Sequence, residues 1–219
     1  MALALYFHPF SSYCWKVLIP LYEAGTAFTA RRVDDPEAGT EFKRRWPIGR
    51  FPLLVDEARG HTLPETTIII EYLDTYYPGA RAMLPADPQV RLEVRLLDRF
   101  FDNYVHGSLQ RIVADRLRAA DKHDPQGVAD ARAMLDTCYA WLDERMKGKE
   151  WVVGNDFSLA DCAAAPALFY ADWVHPMGDT HPNVTAYRTR LLARPSVKRA
   201  VDEARPFRHL FPGGAPARD

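Results

Sequence analysis

Hydrophobic residues occur with two different periods in the first third of the chain, which indicates a mixture of strands and helices. Residues 3–7 form a short apolar run that ends at His8-Pro9, a pattern typical of a buried strand. A helical face follows at positions i, i+3, i+4 and i+7, formed by Cys14, Val17, Leu18 and Leu21. Gly25 supplies a stop signal, and Pro20 predicts a bend between residues 16 and 20.

The pattern then predicts a second strand, a short helix, a hairpin and a further helix. The strand spans residues 27–33 and the short helix residues 39–46. Residues 51–55 and 61–63 are predicted to be the two strands of the hairpin. Residues 69–76 have apolar side chains at the same helical spacing as the first helix, which predicts a second amphipathic helix. We therefore predict an α/β domain with the element order βαβ-ββα.

A segment rich in proline and glycine separates this part from a remainder that has helical periodicity throughout. We predict an α/β domain over residues 1–79, a linker over 80–85 and an all-helical domain over 86–219. Apolar positions from Val90 to Ile112 predict one very long helix. Ser158 to Asp161 resembles a capping box, and the residues after Pro212 are expected to fray.

Composition and charge narrow the class of protein. The 219 residues are 47% apolar and 26% charged, as in an ordinary globular protein, with 28 basic and 29 acidic side chains. The sequence has no stripe of basic residues of the kind that nucleic acid binding requires, so we do not expect nucleic acid as a partner. We expect no secretion signal, membrane span or metal site, and the three separated cysteines favour a reducing cytoplasm.

The first candidate site is Phe10-Ser11-Ser12-Tyr13-Cys14, between the first strand and the first helix. A helix start offers free N–H groups and the positive end of the helix dipole, which favour a bound thiolate. Two interpretations of the serines remain open, a simple helix cap or a hydroxyl donor to sulfur. Cys14 fits a buried apolar role better than a redox role, since one thiol cannot close an internal disulfide.

Two further constellations follow. In Trp46 to Pro52, a proline after a glycine-containing loop is a candidate cis peptide, which would turn the Phe51 backbone toward a peptide-like ligand. In Leu63 to Ile68, Glu65 can hold an ammonium group, and Thr66 at a helix start can hold a carboxylate. Each of these signals is also compatible with ordinary loop and helix starts.

The order of these motifs resembles the glutathione transferase superfamily. The S-x-x-C segment, the loop x-P-x-G-[KR]-x-P and the helix start E-[ST]-x-x-I-x-x-Y-L occur at matching spacing, and the segment 157–163 resembles the family's folding-associated cap. The resemblance implies a thioredoxin-like α/β domain followed by an all-α helical bundle. It also implies a homodimer.

The resemblance further implies roles for individual residues. Ser11 would stabilise the thiolate of glutathione, with Ser12 as a possible second donor. Phe51 would pair with the cysteinyl unit, next to a cis Pro52. Glu65 and Thr66 would bind the γ-glutamyl end, and Arg50 either the glycyl carboxylate or only solvent.

The second substrate would be a small electrophilic molecule bound between the domains. Candidate residues for its pocket are Phe10, Tyr13, Tyr104, His106 and Arg111. The leading interpretation is a glutathione transferase. A glutathione-dependent isomerase or dehalogenase and a non-catalytic scaffold that kept the fold are the alternatives.

Overall fold

The first third of the chain forms a four-stranded sheet with three helices. The computed structural model describes residues 3–219. Its strands are β1 (Leu3–Phe7), β2 (Thr29–Arg32), β3 (Leu53–Asp56) and β4 (His61–Leu63). The helices are α1 (Ser12–Ala24), α2 (Pro36–Arg45) and α3 (Thr66–Tyr76). The predicted element order is confirmed, although β2 is shorter than predicted and α2 begins three residues earlier.

The sheet has the strand order β2-β1-β3-β4, with β1 and β2 parallel and the other pairs antiparallel. Because side chains alternate across a strand, β1 contributes to two apolar clusters. Leu5 and Leu54 pack in the large cluster that also contains residues of α1 and α3. Tyr6 and Leu53 pack on the other face, against Phe42 of α2.

The remainder of the chain is helical, as predicted. Its helices are α4 (Pro88–Phe100), α5 (Gly107–Arg116), α6 (Pro125–Met146), α7 (Leu159–Val174), α8 (Pro182–Ala193) and α9 (Pro195–Ala204). Short 3₁₀ turns occupy Ala120–Lys122 and Arg205–Leu210. The Asp-Pro starts are confirmed, since the Asp87 carboxylate accepts from the Val90 N–H and the Asp124 carboxylate from the Gly127 N–H.

The predicted very long helix is helical without a break from residue 88 to residue 116, but it is not α-helical throughout. A π-helical segment, Phe101–His106, separates α4 from α5. Its wider turn is visible in the Gly107 N–H, which donates to the carbonyl of Asp102, five residues earlier. Segments of this kind occur often at functional sites, and this one brings Asp102 to the cleft described below and His106 to α1.

The capping box at the start of α7 is confirmed, and it extends beyond the helix. The buried Asp161 carboxylate accepts from the N–H and hydroxyl of Ser158. It also accepts from the Val152 N–H at 3.1 Å and from the Tyr187 hydroxyl at 2.6 Å. One carboxylate therefore satisfies donors from the preceding loop, from the N-cap of α7 and from α8.

The first helix packs against α7 and α9 and contains a buried cation. Lys16 is 1% exposed, and its ammonium lies 2.5 Å from Asp98 Oδ1 and 2.7 Å from Asp102 Oδ2. Arg99 contacts the same two carboxylates. The helix continues through Pro20 to a C-cap at Gly25, whose φ of 62° is readily adopted by glycine.

The predicted fraying after Pro212 is not what the structure shows. The Arg218 guanidinium donates to Asp172 Oδ2 on α7 at 3.1 Å. Arg205 and Arg208 both donate to the carboxylate of Asp219. Local composition gives no information about such long-range ion pairs, which is why the sequence suggested a loose tail.

No helix within residues 3–219 combines the length and apolar character that crossing a membrane requires.

We predict that Lys16→Met lowers the free energy of unfolding by about 3 kcal/mol, because it leaves two buried carboxylates short of a counter-charge. Denaturant unfolding measures the change. Lys147→Met is the matched control, since that lysine pairs with Glu144 on the surface and is 59% exposed. Its loss should leave stability nearly unchanged. Equal effects of the two substitutions would contradict a structural role for the Lys16 pair.

Candidate functional site

A cleft of about 870 Å³ lies between the sheet-containing part and the helical part of the molecule. Its N-terminal wall is formed by Phe10, Ser11, Ser12, Tyr13, Gly49, Arg50, Phe51, Pro52, Glu65 and Thr66. Its helical wall is formed by Arg99, Asp102, Asn103, Leu109, Gln110, Val113, Ala114, Tyr170, Leu210, Phe211 and Pro212. The structure thus brings the three predicted constellations to one wall of one cleft.

Ser11 occupies the N-cap of α1. Its Oγ accepts from the Cys14 N–H at 3.4 Å, which confirms the capping interpretation. A capping serine uses its oxygen as an acceptor, so its hydroxyl proton is still available to a ligand. No partner for that proton is present among residues 3–219. Capping and donation to sulfur are therefore compatible roles for Ser11.

The loop before α1 is held from two helices. The Trp15 indole of α1 donates to the carbonyl of Pro9 at 2.6 Å. The Tyr170 hydroxyl of α7 donates to the carbonyl of Phe10 at 2.9 Å. One of these bonds comes from the N-terminal part of the chain and the other from the helical part. The position of Ser11 therefore depends on the packing of α1 against α7.

Ser12 differs from Ser11 because it is 7% exposed and already has a partner. Its Oγ lies 3.1 Å from Nε2 of His106, at the end of the π-helical segment. The same Nε2 lies 3.1 Å from the side-chain nitrogen of Gln110. The His106 ring also packs against Tyr13 at 4.2 Å between centroids.

His106 is held neutral. Burial lowers the pKa of its imidazole to about 3, and the nearby charge of Lys16 acts in the same direction. An imidazole with this pKa is too weak a base to remove a proton from Ser12 at neutral pH. The Ser12–His106 pair is therefore a hydrogen bond and not the nucleophile and base of a hydrolase.

The loop from Gly49 to Pro52 contributes backbone groups to the same wall. The Phe51–Pro52 bond is cis, as predicted. No hydrogen-bond partner of the Phe51 N–H or C=O lies within residues 3–219. Arg50 is exposed, and within the same range its guanidinium forms no ion pair or hydrogen bond. These groups are free to bind a ligand.

Glu65 and Thr66 lie at the start of α3, where the backbone is strained. Glu65 has φ 71° and ψ 116°, a conformation that costs a non-glycine residue of order 1–3 kcal/mol and is frequent at functional sites. Its carboxylate has no ion-pair partner in the part of the chain that the structure describes. Helix α3 begins at Thr66, which lines the cleft. The first N–H groups of a helix have no partner within the helix, so the N-terminus of α3 offers free donors at the cleft.

Only some of the residues predicted for the second-substrate pocket line the cleft. Phe10 and Tyr13 line the cleft, and His106 lies behind Ser12. Tyr104 and Arg111 are not brought to the cleft lining. Tyr104 is 52% exposed and packs on Phe100 instead. Arg111 is also exposed, so neither side chain contributes to the wall of the cleft.

Sequence reasoning missed several residues of the helical wall. Arg99 and Asp102 form an ion pair in the lining of the cleft, and burial raises the pKa of Asp102. Phe211 and Pro212 close the apolar end of the cleft. Each of these residues reaches the cleft only through packing between segments that are far apart in the sequence. The neighbouring residues therefore give no signal of its position in the site.

Cys14 is not part of the reactive surface. Its side chain is fully buried, and burial raises the pKa of the thiol to about 12. This confirms its interpretation as a small apolar residue. In the described part of the chain no group of three or more His, Cys, Asp or Glu side chains is arranged to hold a metal ion.

Comparison with known proteins identifies the family. Residues 5–81 match the family model described as glutathione S-transferase, N-terminal domain, and residues 111–195 match glutathione S-transferase, C-terminal domain. The chain belongs to the glutathione transferase family. The fold agrees, with a mixed α/β N-terminal domain and an all-helical C-terminal domain.

Relatives cover nearly the whole chain at low identity. A probable maleylacetoacetate isomerase of Vibrio cholerae is 28% identical, over 94% of this chain and 98% of the relative. A stringent starvation protein A homolog of Coxiella burnetii is 27% identical, over 92% of each chain. A crystal structure of a glutathione S-transferase from Methylobacterium radiotolerans, in complex with glutathione sulfonate, has a TM-score of 0.78 at 25% identity. That match covers 99% of this chain and 98% of the other.

The lowered pKa of His106 predicts a loss of stability in acid. Between pH 6.5 and about pH 3 the unfolded chain binds a proton that the folded imidazole does not, so the free energy of unfolding falls as the pH falls. At pH 5 this contribution is on the order of 2 kcal/mol. Denaturant unfolding at pH 7 and pH 5 should therefore show a smaller drop in His106→Gln than in the unaltered protein.

The exposed His209 offers a matched control. The substitution His209→Gln should leave the pH dependence of unfolding as it is. If His106→Gln and the unaltered protein lost stability in parallel between pH 7 and pH 5, the imidazole would not be neutral and buried as described.

Proposed function

We propose that the protein is a glutathione transferase in which Ser11 donates a hydrogen bond to the thiolate of bound glutathione. The observation that carries this proposal is the set of unpartnered groups on one wall of the cleft. They are the Ser11 hydroxyl proton, the Phe51 backbone, the Arg50 guanidinium and the Glu65 carboxylate beside the start of α3. The family membership and the glutathione sulfonate bound to the M. radiotolerans relative support the choice of ligand.

The charges of these groups match those of the tripeptide. Glu65 accepts from the α-ammonium of the γ-glutamyl residue, and the N-terminus of α3 at Thr66 binds its carboxylate. The Phe51 N–H and C=O pair with the cysteinyl unit, and Arg50 binds the glycyl carboxylate. A scaffold protein has no need for such a paired clamp, which favours glutathione binding over a purely structural role.

The chemistry follows from the acidity of the thiol. A free thiol with a pKa near 8.5 is only a few per cent ionised at pH 7. A hydrogen bond from the Ser11 hydroxyl and the N-terminus of α1 both favour the thiolate, and together they lower the pKa by about one to two units. Residues 12–14 contain no acidic side chain to oppose this effect. The thiolate then attacks an electrophilic carbon of a small molecule in the cleft.

We predict that Ser11→Ala leaves glutathione binding within a few-fold of the unaltered protein but lowers turnover by about 10- to 1,000-fold. The missing hydroxyl donor raises the pKa of the bound thiol. Isothermal titration calorimetry and conjugation assays with a panel of electrophiles measure the two quantities. Because the substitution also removes an N-cap, the free energy of unfolding is measured in parallel. A larger loss of turnover in Ser12→Ala than in Ser11→Ala would contradict the assignment.

A glutathione-dependent isomerase is the second candidate. The V. cholerae relative, whose name states a probable isomerase, matches almost the entire chain. The same thiolate would serve in both reactions, but an isomerase or a dehalogenase would use it as a cofactor that is regenerated. Net glutathione consumption, measured with each substrate that is turned over, distinguishes conjugation from isomerisation.

We also propose that the protein is a cytoplasmic homodimer. Exposed apolar side chains cluster on α3 and α4, where Leu92 and Leu96 are 63% and 62% exposed and lie one turn apart. The Arg95–Glu71 ion pair places α3 beside them. An apolar face of this kind marks a protein interface, and two-fold dimers are the commonest assembly. The three cysteines are unpaired and buried, which suits a reducing compartment.

Leu96→Glu should therefore convert the dimer to monomers, since it buries a charge at the apolar face. Analytical ultracentrifugation should give twice the chain mass for the unaltered protein and a single chain mass for the variant. Leu117→Glu is the control, because Leu117 is 71% exposed but follows α5, away from that face. A monomeric unaltered protein would overturn the proposal.

A further inference from the structure

Two adjacent hydroxyls line the cleft at the start of α1, but they have different hydrogen-bond partners. Ser11 Oγ accepts from the Cys14 N–H, so its proton is available to a ligand. Ser12 Oγ lies 3.1 Å from Nε2 of His106, which is 2% exposed. The partner of each hydroxyl therefore determines whether its proton can reach a sulfur atom in the cleft.

The direction of the Ser12–His106 bond follows from Gln110. The side-chain nitrogen of Gln110 lies 3.1 Å from His106 Nε2, and an amide nitrogen can only donate. Nε2 therefore accepts, and the single proton of the neutral imidazole is on Nδ1. Because Nε2 carries no proton, the Ser12 hydroxyl also donates to it, and the two donors share the single lone pair of Nε2 in a three-centre hydrogen bond.

We infer that His106 is a positioning residue that holds the proton of Ser12 and thereby makes Ser11 the hydroxyl donor to the glutathione sulfur. This inference rests on the proposed function. With its proton directed at His106, Ser12 presents only lone pairs to the cleft. Lone pairs accept from an S–H group but repel a thiolate, so Ser12 in this state does not assist ionisation.

The surroundings of His106 keep this arrangement in place. The ring packs between Ser12 and Tyr13 on α1, and Gln110 follows on α5. The charge of the Lys16 ammonium acts on the ring and opposes its protonation. The imidazole therefore stays an acceptor toward Ser12 when the thiol ionises.

The inference predicts a rescue. Ser11→Ala removes the hydroxyl but leaves the N-terminus of α1, so it should raise the thiol pKa of bound glutathione by about one unit. In Ser11→Ala/His106→Phe the Ser12 proton has no acceptor and can turn to the sulfur, while the phenyl ring keeps the packing against Tyr13. At least half of the increase in thiol pKa should then be recovered. The ultraviolet absorbance of the thiolate, titrated against pH in the glutathione complex, measures each value.

A third substitution tests whether the rescue comes from Ser12. Adding Ser12→Ala to the double variant should abolish the recovery. A thiol pKa in the double variant equal to or above that of Ser11→Ala would overturn the inference, as would a recovery that persists without the Ser12 hydroxyl. A merely structural role of His106 would lower stability without restoring the thiol pKa.

A measurement on the free protein separates this inference from the proposed function. Nitrogen-15 spectra of labelled histidine should show His106 protonated on Nδ1. In Gln110→Glu, at an exposed position, the new carboxylate should draw the proton to Nε2 and release Ser12. If His106→Phe does not fold, Ser11→Ala/Gln110→Glu replaces it in the titration, and an Nε2 proton in the unaltered protein overturns the inference. Failure of the unaltered protein to bind glutathione would instead overturn the proposed function.

Discussion

The buried ammonium of Lys16 is the contact on which the geometry of the cleft depends. It lies in the middle of α1, between Asp98 of α4 and Asp102 of the π-helical segment. Since α1 begins with Ser11 and Ser12, this contact fixes both hydroxyls relative to the helical wall. A buried charge is stable only with its partners in place, so α1 cannot shift against α4 without leaving an ion uncompensated. The same ammonium helps to keep His106 neutral, which links the domain contact to the electrostatics of the site.

The candidate site contains several polar groups that have no hydrogen-bond or ion-pair partner within residues 3–219. Buried polar groups in a folded protein nearly always find internal partners. The Phe51 backbone and the exposed side chains of Arg50 and Glu65 find none within residues 3–219, so they are open to solvent or to a ligand. Glu65 also has a strained backbone. The proposed function accounts for these features together, through a peptide-like ligand with one ammonium and two carboxylates. Next to them, the adjacent Ser11 and Ser12 have different hydrogen-bond partners, the N–H of Cys14 and the imidazole of His106.

Much of the fold was predictable, because local patterns determine it. The βαβ-ββα order, the Asp-Pro helix starts and the capping box at Ser158 each follow from neighbouring residues, and all are confirmed. The cis bond at Pro52 is also confirmed, but the residues alone made it only a candidate, and the family resemblance implied it. The π-helical segment was not predictable, since the apolar spacing from Val90 to Ile112 also fits one continuous helix. Tyr104 and Arg111 were proposed for the pocket from their place on that helix alone, and both lie outside the cleft lining because their side chains face solvent. Arg99, Asp102 and Phe211 were missed because only long-range packing brings them to the cleft.

The most direct measurement is a crystal structure of the protein with glutathione bound. The proposed function predicts the sulfur within about 3.5 Å of Ser11 Oγ, with the γ-glutamyl end at Glu65 and Thr66 and the Phe51 backbone paired with the cysteinyl unit. A sulfur out of hydrogen-bonding range of Ser11, or a tripeptide bound away from Glu65 and Thr66, would contradict it.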